Sequence, residues 1–257
     1  MKTRLDQELA RRGLVSSRSQ AESWIKLGKV TVDGRAVTKS GTMVGEDADI
    51  VLQATERYVS RAGLKLASVA ELLGVTFRGK TVLDVGSSTG GFTDYALQHG
   101  ASKVIAVDVG TEQLHPSLRG DKRIELYEKT DIRQVELKTM KQELRTGTVY
   151  IDSPDIVLID VSFISLREVL PHISDLLTPH SVVIAMVKPQ FEAGRHQTNK
   201  GVIKNEAVRR AVLGDFEQWV KQCFVIKAKR DSDVAGARGN RERFYLLQLL
   251  SKSGIIS

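Results

Sequence analysis

The chain has 257 residues, 41% apolar and 27% charged, with 5 prolines and one cysteine, Cys223. This composition excludes a disordered or collagen-like chain, a disulfide framework and a multi-thiolate metal site, and the length allows one large domain or an ordinary domain plus a small module. The formal charge of +7 is segregated: residues 1–61 hold 11 Lys and Arg against 8 Asp and Glu, residues 62–187 hold 13 against 16, and residues 188–257 hold 14 against 7, a pattern that suits two basic regions gripping one nucleic acid.

The opening MKTRLDQELA has no apolar stretch after its charges, so no secretory signal is expected and the reading is cytoplasmic. Leu5, Leu9 and Leu14 mark a first helix, and Ser16-Ser17 can cap a second from about Arg18 to Leu27, ended by Gly28. Val30-Thr31-Val32 followed by Asp33-Gly34 predicts a hairpin, with another strand near Asp49 to Leu52. A unit of about 50 residues is marginal alone, so residues 1–55 read as an appended α+β module, 56–63 as a linker and 64–257 as the main domain. From Thr81 the rhythm becomes strand, loop, helix: TVLDVG, KVIAVDV, RIELYE, PDIVLIDV and SVVIAMVK carry short apolar runs. Unbroken apolarity predicts strands covered on both faces, hence a parallel α/β sheet with its site at the strands' carboxyl ends. A helix near Glu206 to Gln222, a strand near Phe224 to Lys229 and RFYLLQLL close the chain. The apolar runs Ile156–Ile159 and Val182–Val187 fall far short of the roughly 18 to 20 residues that span a bilayer. His99, His115, His172, His180 and His196 show no ligand spacing, so no metal is expected. Cys223 is expected to be a buried thiol, Trp24 and Trp219 to be buried or at an interface, and the polar, basic stretch 191–206 to be a lid.

DVGSSTGGFT, Asp84 to Thr93, stands where a strand yields to a helix. Its glycines permit a sharp turn and close approach of a ligand. It lacks the Gly-Lys-Ser/Thr ending of a nucleoside triphosphate loop, and GxxxGG departs from the dinucleotide spacing. Acids recur at the strand ends: Asp108, able to accept from both hydroxyls of a ribose; Asp131, placed for an adenine amino group; and Asp160, nearest the reacting centre. A ligand with adenine, ribose and a positive sulphonium would meet carboxylates along its length, so S-adenosyl-L-methionine is expected rather than a phosphate-rich cofactor. The expected contacts are Asp84, Gly86, Ser87, Ser88, Gly90, Gly91, Phe92, Asp108, Val109, Asp131, Ile132 and Asp160. Methyl transfer to an alcohol needs positioning and a route for its proton, and a lysine serves as base only with its pKa well below the usual value of about 10.4. Lys188 ends an apolar strand at the same sheet edge as Asp160. Spacing alone does not join Lys65 or Glu242 to that edge.

Two resemblances extend this reading. RLDQELARRGLVSSRSQAESWIKLGKVTVDG, continuing to VGEDADIVL, resembles the S-four-type RNA-binding domain. That resemblance implies RNA contacts at Arg4 and Arg18, in the RLD and SR positions, with Lys26 and Lys29 beside them. SRAGLKL, DVGSSTGGFT, IDVSFISL, MVKPQFE and GNRERFYLL resemble the FtsJ-like ribose methyltransferases, and the whole chain resembles the TlyA family. This implies a Rossmann-like fold with a seven-stranded, mostly parallel sheet, where the sequence itself shows five or six strands. It also implies a Lys65, Asp160, Lys188, Glu242 tetrad and 2'-O-methylation of cytidine in ribosomal RNA, making ribosomal subunits the partner. Lys188 would activate or steer the hydroxyl, Asp160 orient it, and Lys65 and Glu242 tune the pair. An RNA-binding assembly factor with an inactive methyltransferase domain is the alternative. Some members are named haemolysins, but a lytic reading finds no spanning segment and no insertion helix in the sequence.

Overall fold

The computed structural model describes residues 2–15, 18–26, 28–52, 58–138, 145–194, 198, 201–234, 236 and 239–250. The Ser16-Ser17 cap, residues 56–57 of the linker, part of the 191–206 stretch with His196, and the Lys26 side chain lie outside the described residues. The chain divides into two compact units, Met1–Arg61 and Ala62–Ser257.

In the first unit, strand β1 (Lys2–Arg4), helices α1 (Leu5–Arg11) and α2 (Arg18–Lys26), and strands β2 (Val30–Val32), β3 (Arg35–Ala36), β4 (Met43–Gly45) and β5 (Ile50–Leu52) follow in order. Leu5, Leu9, Ala21, Trp24 and Ile25 are buried where α1 and α2 pack. The helical repeat of Leu5 and Leu9 stops there; Leu14 lies beyond α1 and is exposed. Gly28 ends α2 at φ +69°, and Asp33 and Gly34, both at positive φ, make the turn between β2 and β3, as an Asp-Gly hairpin requires. β2 is the centre of a three-stranded antiparallel sheet, and β1 pairs with β4.

The second unit holds α3 (Arg61–Ala70), β6 (Thr81–Val85), α4 (Gly91–Gln98), β7 (Lys103–Val107), β8 (Ile124–Tyr127), β9 (Val135–Leu137), β10 (Val149–Ile151), β11 (Ile156–Ile159), α5 (Leu166–Asp175), β12 (Val182–Val187), α6 (Pro189–Glu192), α7 (Glu206–Val220), β13 (Phe224–Asp231) and β14 (Arg243–Leu249). Helix α3 starts inside the segment read as linker. The main sheet has seven strands in the order β13-β14-β12-β11-β6-β7-β8, parallel except that β14 runs antiparallel to both its neighbours. This is the seven-stranded, mostly parallel α/β sheet that the resemblance implies, and β9 and β10 form a separate parallel pair. The central strands bury almost every residue, from Leu83 and Val85 on β6 to Val183, Ala185 and Val187 on β12. The chain moves outward through β7 and β8, then returns to the other side of β6 with β11. That reversal opens a crevice at the carboxyl ends of β6 and β11, where such folds bind ligands.

Among the described residues no helix is long and apolar enough to cross a membrane, and no cluster of three or more His, Cys, Asp or Glu could hold a metal ion. Cys223 is exposed, against the expectation of a buried thiol: it falls in the turn between α7 and β13, outside both packed faces. Trp24 is buried, and Trp219 packs against the sheet core with the Arg167 guanidinium over its ring.

Candidate active site

At the crevice the backbone ladder runs out one residue at a time. Val85 pairs with Ile159 and with Val107, so Gly86, Asp160 and Asp108 are the first residues past the sheet. A cavity of about 380 Å³ opens there, lined among others by Gly86, Ser88, Asp108, Val109, Asp131, Ile132 and Asp160. Gly86 is required on two counts. Its φ is +80°, and a Cβ would stand 2.9 Å from the carbonyl oxygen of Asp160, closer than such atoms approach. Asp108 accepts from the Ser88 amide (2.8 Å) and the Gly110 amide (2.6 Å), which ties the glycine turn to the loop after β7. Asp131 is held by the Arg133 guanidinium at 2.6 and 3.0 Å, a pairing that lowers its pKa.

The four candidate catalytic side chains form two ion pairs. Lys188 Nζ lies 2.5 Å from Asp160 Oδ1 and also donates to Ser162 Oγ at 2.7 Å. Lys65, on α3, lies 2.8 Å from Glu242 Oε2. Antiparallel register joins the pairs: Val187 faces Arg243, so Lys188 and Glu242 are the next residues on adjoining strands. All four side chains are largely buried. Each amine is thus neutralised by a carboxylate, which answers the cost of holding a charge out of water. Gly236 makes room for Glu242, since a Cβ there would lie 2.6 Å from Oε1.

Asp84 sits behind the cavity on β6, buried, with Oδ2 accepting from Thr93 Oγ1 at 2.6 Å and Oδ1 without a partner. Burial, assisted by the charges of Asp160 and Asp108, pushes its pKa up to about 7 against the Thr93 hydroxyl. Asp84 shares this place with Ser87, Gly90, Gly91 and Phe92, none of which lines the cavity. Gly90 faces Leu114 and Leu118, which a Cβ would strike; Gly91 opens α4; Ser87 is buried; Phe92 is buried against Phe244. These five shape the turn from the rear, because the turn presents one face to the crevice and packs the other.

Sequence reasoning overlooked several neighbours. Ser162 and Phe163 line the cavity, and Phe163 is 91% exposed at φ +67°. Gln113 closes one side by accepting from Ser88 Oγ at 2.9 Å. Buried Arg209 of α7 donates to the Arg241 carbonyl (3.1 Å) and to Asp231 (2.7 Å), fixing the approach to Glu242. The exposed phenylalanine beside an acid in IDVSF was the one readable signal. In the first unit, Arg4 and Arg18 both donate to buried Asp6, at 2.8 and 2.9 Å, and Arg4 first among them holds its pKa at about 2; Lys29 is exposed.

The cavity suits a nucleoside carrying a positive centre. It offers carboxylates at both ends, a glycine turn that no Cβ could replace, and no amine-rich cradle for phosphates among the residues that line it.

Comparison with known proteins bears on the family and the fold. Residues 58–249 match the FtsJ-like methyltransferase family and residues 3–50 match the S4 domain. The Mycobacterium tuberculosis 16S/23S rRNA (cytidine-2'-O)-methyltransferase TlyA is 36% identical over 251 residues, 96% of this chain and 90% of that protein. Hemolysin A of Brachyspira hyodysenteriae is 35% identical over 241 residues, 93% of this chain and 97% of that protein. A solved Streptococcus thermophilus structure, provisionally named a hemolysin, superposes with a TM-score of 0.71 at 35% identity, covering 97% of this chain and 89% of that one.

Proposed function

Because the chain belongs to the FtsJ-like methyltransferase family and carries an S4 domain ahead of that region, we propose that it methylates the ribose 2'-hydroxyl of a cytidine in ribosomal RNA, with S-adenosylmethionine as donor. The reading rests on one observation above all: Lys188 lies 2.5 Å from Asp160 of the adjacent strand, and Asp160 lines the same cavity as Asp108 and Asp131.

Asp108 and Asp131 would hold the ribose and adenine of the cofactor, Val109 and Ile132 would supply apolar contact, and Gly86 would let the backbone come close. When bound, S-adenosylmethionine supplies a methyl group on a positive sulphur, open to displacement by an oxygen nucleophile. Lys188, held by Asp160 and Ser162, directs the incoming 2'-oxygen and stabilises the negative charge growing on it. The hydroxyl proton passes to the Lys188–Asp160 pair, whose carboxylate is the acceptor. Lys65 and Glu242 keep the second strand end in place and balance its charge. Positioning supplies most of the rate, since aligned groups reach effective molarities on the order of 10⁵ M or more; the base adds roughly 10²- to 10⁴-fold.

A 2'-hydroxyl within a helix reaches this pocket only if its nucleotide leaves the stack. Exposed Phe163, next to Ser162, offers a face for the displaced base. Arg4 and Arg18, oriented by Asp6, and Lys29 would meet RNA phosphates from the S4 domain. An enzyme with this substrate works where ribosomes are, in the cytoplasm.

The test is incubation with methyl-labelled S-adenosylmethionine and separated ribosomal subunits, comparing wild type with Lys188→Ala. Label in subunit RNA, lost in the variant, is the expected result. Absence of transfer by either protein would favour a binding factor without activity.

A further inference from the structure

We propose that Glu192 is a positioning residue for methyl transfer, locking together the two loops that bear Asp160 and Lys188; this rests on the roles assigned to that pair above. β11 and β12 are parallel neighbours, and each leaves the sheet just before one of the two residues. The Asp160 amide still donates to the Val85 carbonyl at 3.0 Å, but beyond it the β11–β12 ladder has ended, so the separation of the two loops depends on side chains. A row of contacts supplies it at nearly constant offset. Lys188 meets Asp160 and Ser162, the ring of Phe191 packs 5.2 Å from that of Phe163, and Glu192 accepts from Ser165 Oγ at 2.6 Å and from the Leu166 amide at 2.8 Å. Glu192 closes the row and has no place in the chemistry.

Helix capping does not account for it. Ser165 already caps α5 by accepting from the Arg167 amide at 3.1 Å, and serine alone is a good N-cap. The Glu192 side chain is only 1% exposed, with Arg167 Nε no nearer than 3.9 Å. Burying a carboxylate is costly unless its oxygens are engaged, and here each oxygen is engaged by the opposite loop. Burial, opposed by the Ser165 and Leu166 hydrogen bonds, raises its pKa. The consequence is local. Without the carboxylate the Ser162–Ser165 segment can drift from α6 while the Asp160 backbone stays tied to β6, so the Ser162 hydroxyl leaves the lysine amine and the amine loses its setting against the Asp160 carboxylate.

The test uses the full chain with Glu192→Ala, Glu192→Gln and Ser165→Ala/Glu192→Ala. A misplacement of about 1 Å costs about 100-fold in rate, so kcat of Glu192→Ala should fall by about 100-fold while KM for RNA and calorimetric affinity for S-adenosylmethionine stay within about threefold. Glu192→Gln keeps an acceptor for the Leu166 amide and should recover most of the loss. In kcat the double variant should be no worse than Glu192→Ala, because both changes break one clamp, while its stability falls further by the lost α5 cap. Independently of activity, amide exchange at Leu166 and along 189–192 should rise in Glu192→Ala while that of β6 and β11 does not. Wild-type kcat in Glu192→Ala, or a loss matched by equal losses of thermal stability and cofactor binding, would overturn the proposal. If the wild type itself transfers no methyl, the catalytic reading fails, and unchanged Leu166 exchange in Glu192→Ala would separately reject the clamp.

Discussion

Asp84 gives the second unit a pH dependence that one substitution should abolish. Its folded pKa is about 7, against an ordinary 3.8. The sign follows from proton binding: between these values the folded chain keeps a proton that the unfolded chain has lost. The stabilisation is therefore complete below pH 3.8 and disappears as pH rises through 7. Each pH step of one in that window costs about 1.4 kcal/mol, or about 4 kcal/mol across it as an upper figure. Asp84→Asn has no charge to bury and keeps an acceptor for Thr93 Oγ1. Its amide leaves donors without partners beside the cavity wall, so at low pH it should be the less stable protein, by about 1 to 3 kcal/mol. The stability difference should then swing toward the variant between pH 4 and 7 and level off above. Urea unfolding of both proteins, followed by circular dichroism at half-unit steps from pH 4.5 to 8.5, measures it, and subtraction cancels every other titrating group. Parallel curves would refute the argument, because they would mean that Asp84 is ionised in the folded protein throughout or is solvated.

Gly86→Ala forces a Cβ toward the Asp160 carbonyl at positive φ; a strained residue of this kind costs about 1 to 3 kcal/mol, and S-adenosylmethionine binding by calorimetry should weaken at least tenfold while the S4 domain keeps its RNA affinity. Phe163→Ala should move the urea midpoint little, since the ring is exposed and gives up only its contact with Phe191, and lower kcat/KM for RNA by the about 1 to 3 kcal/mol of a base stack chiefly through KM; an unchanged KM would remove the base platform. Arg18→Ala leaves Asp6 its Arg4 partner, so folding should persist while the slope of log affinity against log salt flattens by about 0.7 to 0.9; an identical slope would take Arg18 off the RNA.

The strands of the main sheet were legible because being covered on both faces leaves a plain mark, four or more residues of unbroken apolarity, as in VIAV of β7 and VVIAMV of β12. Strands of three residues such as β1 and β4 carry no period that could be counted, and α3 was missed because SRAGLKL offers one helical turn of apolar residues beside glycine and a linker-like composition. The acids at Asp108, Asp131 and Asp160 could be placed at one edge from strand ends alone. Lys65 and Glu242 could not: they arrive from a helix before the first strand and from the antiparallel last strand, and their meeting depends on a register that no local pattern reports. Family resemblance supplied that link. Glu192 was invisible for the opposite reason, since a glutamate four residues after a lysine on a short helix reads as a solvated surface pair until the loop it faces is seen.

The central claim concerns which oxygen receives the methyl group and which amine directs it. Nucleoside mass spectrometry of ribosomal RNA, treated with the enzyme and deuterated S-adenosylmethionine, reads both at once. The account predicts deuteromethyl on the ribose of cytidine with wild type and, because Lys188 stabilises the charge growing on the oxygen, a loss of at least about 100-fold with Lys188→Ala. Label on a base, or undiminished ribose label in the variant, would contradict it.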